Sequence, residues 1–226
     1  HLKKIIKPTI GFLTNIGQAH DEGFENSTQK INEKLKLFVQ CNYLVFCADE
    51  EEIKELVYSF QNKIKNKNSR LPLFTWGKSA ENTLQILSVK KNKSNKIIEA
   101  VYEKKNISIT IPFIDDASVE NAINCWCVLL LLKKFNEQSR QRFELLYPIA
   151  MRLELKQGIN HCTIINDSYS NDFHSLAIAL NFLEQQKQNK KYTIILSEIL
   201  QSGKKPEDLY KEVAHLLENR KIQRLI

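Results

Sequence analysis

Several short stretches of this 226-residue chain put reactive side chains where chemistry could use them. The first reads TNIGQAHDEGF, Thr14 to Phe24, and follows the apolar run IGFL. Its histidine, His20, carries an imidazole that can bind a metal or move a proton near neutral pH. The next segment, STQKINEKLKLF, spaces Lys30, Lys34 and Lys36 so that one helical face can carry several of them. Lysines on an amphipathic helix are ordinarily solvated cations whose stems cover apolar surface, so a binding role needs more than their presence. Asn121, in SVENAINCW, reads as local hydrogen bonding at a helix start. Arg152, in MRLEL, brings a fork of donors that suits phosphate oxygens, although a lone arginine is more often a surface ion-pair partner. The stretch INDSYSNDFHSL offers the Asp167 carboxylate beside Ser168 and Tyr169, with Asp172 placed to cap the helix that follows. LSEILQSG puts Glu198 just past an apolar run.

Elements must position these groups. HLKKIIKP reads as a helix end closed by Pro8, and TIGFLTNI as a strand. Ile31, Leu35 and Phe38 recur at helical spacing behind a cap at Asn26 or Ser27. A buried strand YLVFCA, a helix from Asp49 to about Lys63 with acidic residues at its start, and a strand LPLFTWG complete a β-α-β-α-β order. That order predicts a parallel sheet. In such sheets ligands sit beyond the carboxyl ends of strands, where Thr14, Asn15 and His20 fall. From Thr83 to Phe113 the pattern changes to LQILSV, IIEAVYE and ISITIPF, which predicts an antiparallel hairpin appended to the sheet. Helices from about Ser118 to Lys134 and from about Glu137 to Tyr147 follow, and Pro148 marks a domain boundary. Beyond it come a hairpin around Gly158, a helix from about Phe173 to Gln186, a strand YTIILSE, a helix from Pro206 to Asn219 and a strand IQRLI. The expected class is α/β: a parallel-sheet domain over 1–148, then a smaller Rossmann-like α/β domain over 149–226.

Composition excludes several functions. At 42% hydrophobic residues the chain can build a core, yet its longest apolar run, CWCVLLLL, is far short of the ~20 residues that span a bilayer. No membrane span and a cytoplasmic location are expected. Cys41, Cys47, Cys125, Cys127 and Cys162 lack framework or zinc spacing and read as buried reduced thiols. The net charge of +7 raises the idea of nucleic acid, but NKIKNKNSR and KKNKSNK interleave no aromatics that could stack on bases. A solvated basic surface that attracts anionic substrates is the expectation, and a non-catalytic basic binding module is the alternative from another class.

Taken together, TNIGQAHDEGF and Lys34, fourteen residues after His20, resemble the signature of the Mur ligase family, ATP-dependent amide ligases of peptidoglycan precursor synthesis. The resemblance implies that CO2 carboxylates Lys34 and that this carbamate and His20 bind Mg²⁺ near the ATP γ-phosphate. A carbamate turns a cation into the oxygen ligand that a hard cation takes. It further implies that Asn121 contacts adenine, that Arg152 contacts the ATP phosphates, and that Asp167 binds the ribose, with Tyr169 alongside. INDSYSND resembles the DDSYNANP loop of the D-alanyl-D-alanine-adding branch, with Ser170, Asp172 and Phe173 in place of Asn, Asn and Pro. LSEILQSG resembles the family turn LGDMLELG, with Glu198 in place of Asp. Thr14, Asn15, Ser168 and Glu198 are the remaining loop candidates.

The implied substrates are ATP, a UDP-N-acetylmuramoyl tripeptide and D-alanyl-D-alanine, joined through an acyl phosphate. NDSYSND and LQSG resemble a subgroup fused to an alanine racemase. The family's phosphate loop, GxxGKT, does not occur in these residues, so this stretch alone is expected to be inactive, as the back half of the ATP-binding domain plus most of the C-terminal domain. Folylpolyglutamate synthetase shares the TNIG…H start, but its DGAHN loop differs from NDSYSND.

Overall fold

A computed structural model describes residues 5–14, 16, 23–64, 70–92, 94–147, 149–169, 171–186, 191–200, 202–220 and 222–226. The apolar runs near the start form β1 (Ile10–Leu13), β2 (Tyr43–Cys47) and β3 (Leu73–Gly77). They pair in parallel, with Ile10 opposite Tyr43 and Leu44 opposite Leu73. Leu44, Val45 and Phe46 are each 0% exposed, so β2 is covered on both faces and its sequence is continuously apolar rather than alternating. The crossovers are α1 (Ser27–Leu35), extended by a 3₁₀ turn over Lys36–Phe38, and α2 (Glu51–Lys63), with Glu51 and Glu52 in its first turn. Ser27 Oγ and Thr28 Oγ1 donate to Glu52 Oε1 at 2.7 and 3.2 Å, which ties the starts of the two helices together.

The expected hairpin is a three-stranded meander, β4 (Leu84–Asn92), β5 (Asn95–Tyr102) and β6 (Lys105–Ile111), and the sheet order is β1-β2-β3-β4-β5-β6. β4 pairs in parallel with β3 only through Trp76–Leu84 and Gly77–Gln85, so most of the meander extends past the end of β3. α3 (Asp116–Leu131) begins at Asp115, whose Oδ1 accepts from the Ser118 N–H at 2.7 Å. It buries Trp126, Cys127 and Ile123 against the sheet, and the Trp76 indole N–H donates to Asn124 Oδ1 at 2.9 Å. α4 (Glu137–Glu144) carries an Asn136–Ser139 capping box. It stops earlier than the sequence pattern predicts: Leu145 and Tyr147 are exposed, so no buried face rewards another turn.

The chain divides into two compact units, residues 1–16 with 27–147 and residues 17–26 with 148–226. In the second, β7 (Glu154–Gln157) and β8 (Thr163–Asn166) form an antiparallel hairpin, with Glu154 opposite Asn166. α5 (Phe173–Gln185), β9 (Thr193–Ile194), α6 (Pro206–Glu218) and β10 (Arg224–Leu225) follow, β9 and β10 pairing in parallel. α5 and α6 bury Leu176, Leu180, Leu209, Val213 and Leu217 with Ile199. Strand YTIILSE is much shorter than its sequence pattern: among the described residues, beyond Ile194 only the Leu196 N–H to Ile226 carbonyl bond prolongs the pairing.

The cysteines are all free, but they are not uniformly buried. Cys41 and Cys127 are buried and Cys47 is half-buried, whereas Cys125 and Cys162 are exposed. Cys125 points outward from α3 and Cys162 closes the β7–β8 turn, positions that no apolar run in one dimension reveals. Among the described residues no helix is long and apolar enough to cross a membrane.

Candidate nucleotide and metal site

In the first unit the carboxyl ends of parallel strands carry the candidates. Thr14 follows β1 directly and is exposed. Asn15 and His20 lie outside the described residues. Lys34 sits in the last turn of α1, half-buried. Lys36 is exposed and ion-paired with Glu33, as a solvated helical lysine should be. Lys30 departs from that expectation. It is 3% exposed and shares the buried face of α1 with Ile31 and Leu35. The helical pattern placed Lys30 no differently from Lys36; the covering of α1 by its neighbours decides between them.

Asn121 is exposed on the second turn of α3, while its neighbour Asn124 is the buried asparagine held to Trp76. Asn121 therefore has no part in the core.

The sequence reading missed a contact at the ends of β2 and β3. Asp49 Oδ1 accepts from the Lys78 N–H at 2.7 Å. Gly77 precedes that amide at φ +154, and a Cβ there would lie 2.2 Å from Asp49 Oδ1 and 2.9 Å from Asn82 Nδ2. The signal was an acid shortly after one buried strand and a glycine closing the next. Beside it, burial pushes the Cys47 thiol up to about 11, which keeps it protonated and inert near neutrality.

In the second unit the structure brings predicted residues together. The hairpin aligns Glu154 with Asn166, and just beyond that pair the Leu153 N–H donates to Asp167 Oδ1 at 3.1 Å. The Tyr169 N–H donates to the Met151 carbonyl at 3.2 Å, and the Arg152 guanidinium lies 4.1 Å from the centroid of the Tyr169 ring. Stacking uses the face of the guanidinium, and its N–H donors lie in the plane, where phosphate oxygens can be met edge-on. Met151 and Leu153 flank Arg152 at φ 59 and 47, a left-handed conformation that bulky residues rarely adopt. Such strain persists only where surrounding contacts hold it. Here they are the Asp167 and Tyr169 bonds and the Met151 N–H to Glu154 Oε2 bond of 3.2 Å. Lys156, then the Met151 N–H, hold the Glu154 carboxyl below its ordinary value of 4.5.

Ser168 is engaged locally, its hydroxyl donating to Asn166 Oδ1 at 2.8 Å. Asn171, which sequence reasoning did not single out, joins two candidate loops: its Nδ2 donates to the Ser197 carbonyl at 2.7 Å and the Glu198 carbonyl at 3.1 Å. That ties the backbone of the exposed Glu198 to the loop that follows Asp167. Asp172 caps α5 through a reciprocal box with Ser175. The expected cap at the start of α5 is therefore present.

Among the described residues no group of three or more His, Cys, Asp and Glu could hold a metal ion. The half-buried Lys34 is a cation as it stands and offers such an ion no oxygen donor.

Residues 1–129 match the model of the Mur ligase middle domain. The chain is 26% identical over 219 residues to a UDP-N-acetylmuramoyl-tripeptide–D-alanyl-D-alanine ligase of Rickettsia prowazekii, covering 94% of this chain and 46% of that protein. It is 25% identical over 232 residues to the ligase of that name from Bacillus subtilis, covering 99% and 47%. The chain thus spans about half the length of the curated relatives it matches. The fold is that of a MurF ligase from Thermotoga maritima solved in complex with ADP, at a TM-score of 0.76 and 14% identity, over 100% of this chain and 54% of that one.

Proposed function

Because the chain belongs to the Mur ligase family, we propose that the complete protein is an ATP-dependent amide ligase that adds D-alanyl-D-alanine to a UDP-N-acetylmuramoyl tripeptide. Residues 1–148 serve as the back half of the family's ATP-binding domain and 149–226 as part of its C-terminal domain. One observation carries the nucleotide half of this reading: Arg152, Asp167 and Tyr169 are assembled at one end of the β7–β8 hairpin on a strained, well-tied backbone. The acceptor is inferred from the activity named for the two curated relatives.

The reaction brings anions together. A peptide carboxylate attacks the γ-phosphoryl group, ADP leaves, and the amine of the dipeptide displaces phosphate from the acyl phosphate. Positioning and countercharge are then the main catalytic means. Asp167 accepts from the ribose hydroxyls, Asn121 meets the adenine edge, and Arg152, braced by Tyr169, presents its donors to the phosphates. Lys34, as a carbamate, and His20 would hold Mg²⁺, which when bound supplies positive charge to the phosphate oxygens. ATP and UDP-linked precursors place the work in the cytoplasm. The likeness of NDSYSND and LQSG to the racemase-fused subgroup adds an alanine racemase module to this proposal.

The test is phosphate release by the complete protein with ATP, Mg²⁺, the tripeptide substrate and D-alanyl-D-alanine. Release should need the dipeptide and fall about 10²- to 10³-fold in Lys34→Ala, as when a charge-stabilising group is removed from a site. Release that needs glutamate instead would move the protein to the folate branch. Unchanged release in Lys34→Ala would remove the carbamate from the mechanism.

A further inference from the structure

Arg152 stands between two residues in a left-handed conformation, Met151 at φ 59 and Leu153 at φ 47. Neither is glycine, and a bulky side chain keeps such a backbone only where its surroundings enforce it. An arginine side chain has many rotamers, so its guanidinium is directed to one place only after its own backbone has been fixed. Whatever fixes residues 151–153 therefore directs Arg152.

Glu154 is placed to do so. Its Oε2 accepts from the Met151 N–H at 3.2 Å and from Asn166 Nδ2 at 3.3 Å, and pairs with Lys156 Nζ at 3.0 Å. The first bond reaches back past Arg152 to the amide where the strained strap begins. The second crosses the hairpin, in which Glu154 stands opposite Asn166. Asn166 in turn holds the loop that follows it, its Oδ1 accepting from the Ser168 N–H at 3.3 Å and the Ser168 hydroxyl at 2.8 Å. That loop sends back two bonds of its own to the strap, between the Leu153 N–H and Asp167 Oδ1 and between the Tyr169 N–H and the Met151 carbonyl. Lys156, then the Met151 N–H, hold the Glu154 carboxyl below 4.5, so it is an anion at neutral pH. An ionised acceptor makes the stronger bond.

Resting on the reading that Arg152 meets the ATP phosphates, we propose that Glu154 and Asn166 are the positioning pair for Arg152. They brace the 151–153 strap against the Asp167–Tyr169 loop, which keeps the guanidinium on the Tyr169 ring, 4.1 Å from its centroid. Neither residue touches the nucleotide in this role. Without the Glu154 acceptor the strap relaxes toward ordinary backbone angles, the direction of the Arg152 side chain turns with it, and the guanidinium leaves the ring. Misplacing a group that acts on the phosphates slows the reaction with ATP and leaves recognition of the dipeptide alone.

The experiment is a double-mutant cycle on the complete protein, reading kcat/KM for ATP and KM for D-alanyl-D-alanine from phosphate release in parent, Glu154→Ala, Arg152→Ala and the double variant. Melting curves check folding, and Asn166→Ala gives the same comparison if Glu154→Ala does not fold. Where Arg152→Ala is too slow to follow, Arg152→Lys serves as the background. In Glu154→Ala, kcat/KM for ATP should fall roughly tenfold, inside the range that misplacement of a working group can cost, with KM for the dipeptide unchanged. Glu154→Gln, which keeps a side-chain carbonyl for the Met151 N–H, should recover most of the loss. In the Arg152 background Glu154→Ala should cost nothing further, because it acts through Arg152. A parent-like kcat/KM in folded Glu154→Ala, or the same loss repeated in the Arg152 background, overturns the positioning role and leaves Arg152 at the phosphates. A parent-like kcat/KM in Arg152→Ala overturns the reading of Arg152 itself, and the positioning role with it.

Discussion

At Gly77 the requirement for glycine comes from a neighbour as much as from the backbone. Its φ of +154 disfavours side chains, and a Cβ would collide with the Asp49 oxygen that accepts from Lys78. Gly77→Ala should therefore lower unfolding free energy by about 1–3 kcal/mol, the usual cost of a strained backbone position, read from urea melts. The glycine was visible in sequence as the end of LPLFTWG, but its partner was not, because Asp49 arrives from another strand. Lys30 teaches the same lesson with opposite sign. Residue type and helical spacing put Lys30, Lys34 and Lys36 in one class, and burial separates them. Arg152, Asp167 and Tyr169 were chosen from short motifs, and the structure lays Arg152 on the Tyr169 ring and bonds Asp167 to the Leu153 amide next to Arg152.

Elements carry their own punctuation. The Asp172–Ser175 box opens α5 with two reciprocal bonds of 2.9 and 3.0 Å. Asp172→Ala should cost about 1 kcal/mol, as caps generally do, and fray the first turn of α5 in hydrogen exchange. The β7–β8 hairpin has an electrostatic lock at Glu154, bonded to Lys156 at 3.0 Å, the Met151 N–H and Asn166. Its carboxyl is held below 4.5, so between the folded and unfolded values the unfolded chain binds more protons. This stabilisation is fully present above pH 4.5 and is lost as the pH falls through the lowered value. Glu154→Gln should flatten that acid limb in pH-dependent melts. The Asp172 cap was legible because it acts over three positions, whereas Asp115 and Asn136, which cap α3 and α4, were not singled out. The early end of α4 was not, because Leu145 and Tyr147 look apolar enough to continue a helix yet find nothing to pack on.

Across the molecule the two units rest on cores of unequal depth. β2 buries Leu44, Val45 and Phe46 completely, whereas the α5–α6 core leaves its members 3–8% exposed and its parallel pair spans two residues. Hydrogen exchange should protect the amides of β2 and β5 longest and release those of β9 and β10 first. A reversed order would show that the second unit is held by something other than its own core. The sequence by itself determined the α/β order, the parallel pairing of the first three strands, the cap at Asp172 and the motifs that mark the family. Each is a local pattern, written in periods of two or 3.6 residues or in a handful of adjacent positions. Only the tertiary structure decided which lysine of α1 is buried, that Asp49 meets the backbone beside Gly77, that Asn171 joins the Asp167 loop to Glu198, and that Arg152 lies on Tyr169. Those outcomes depend on pairs far apart in the chain, and burial or contact between such pairs is a property of packing that no single stretch of sequence contains.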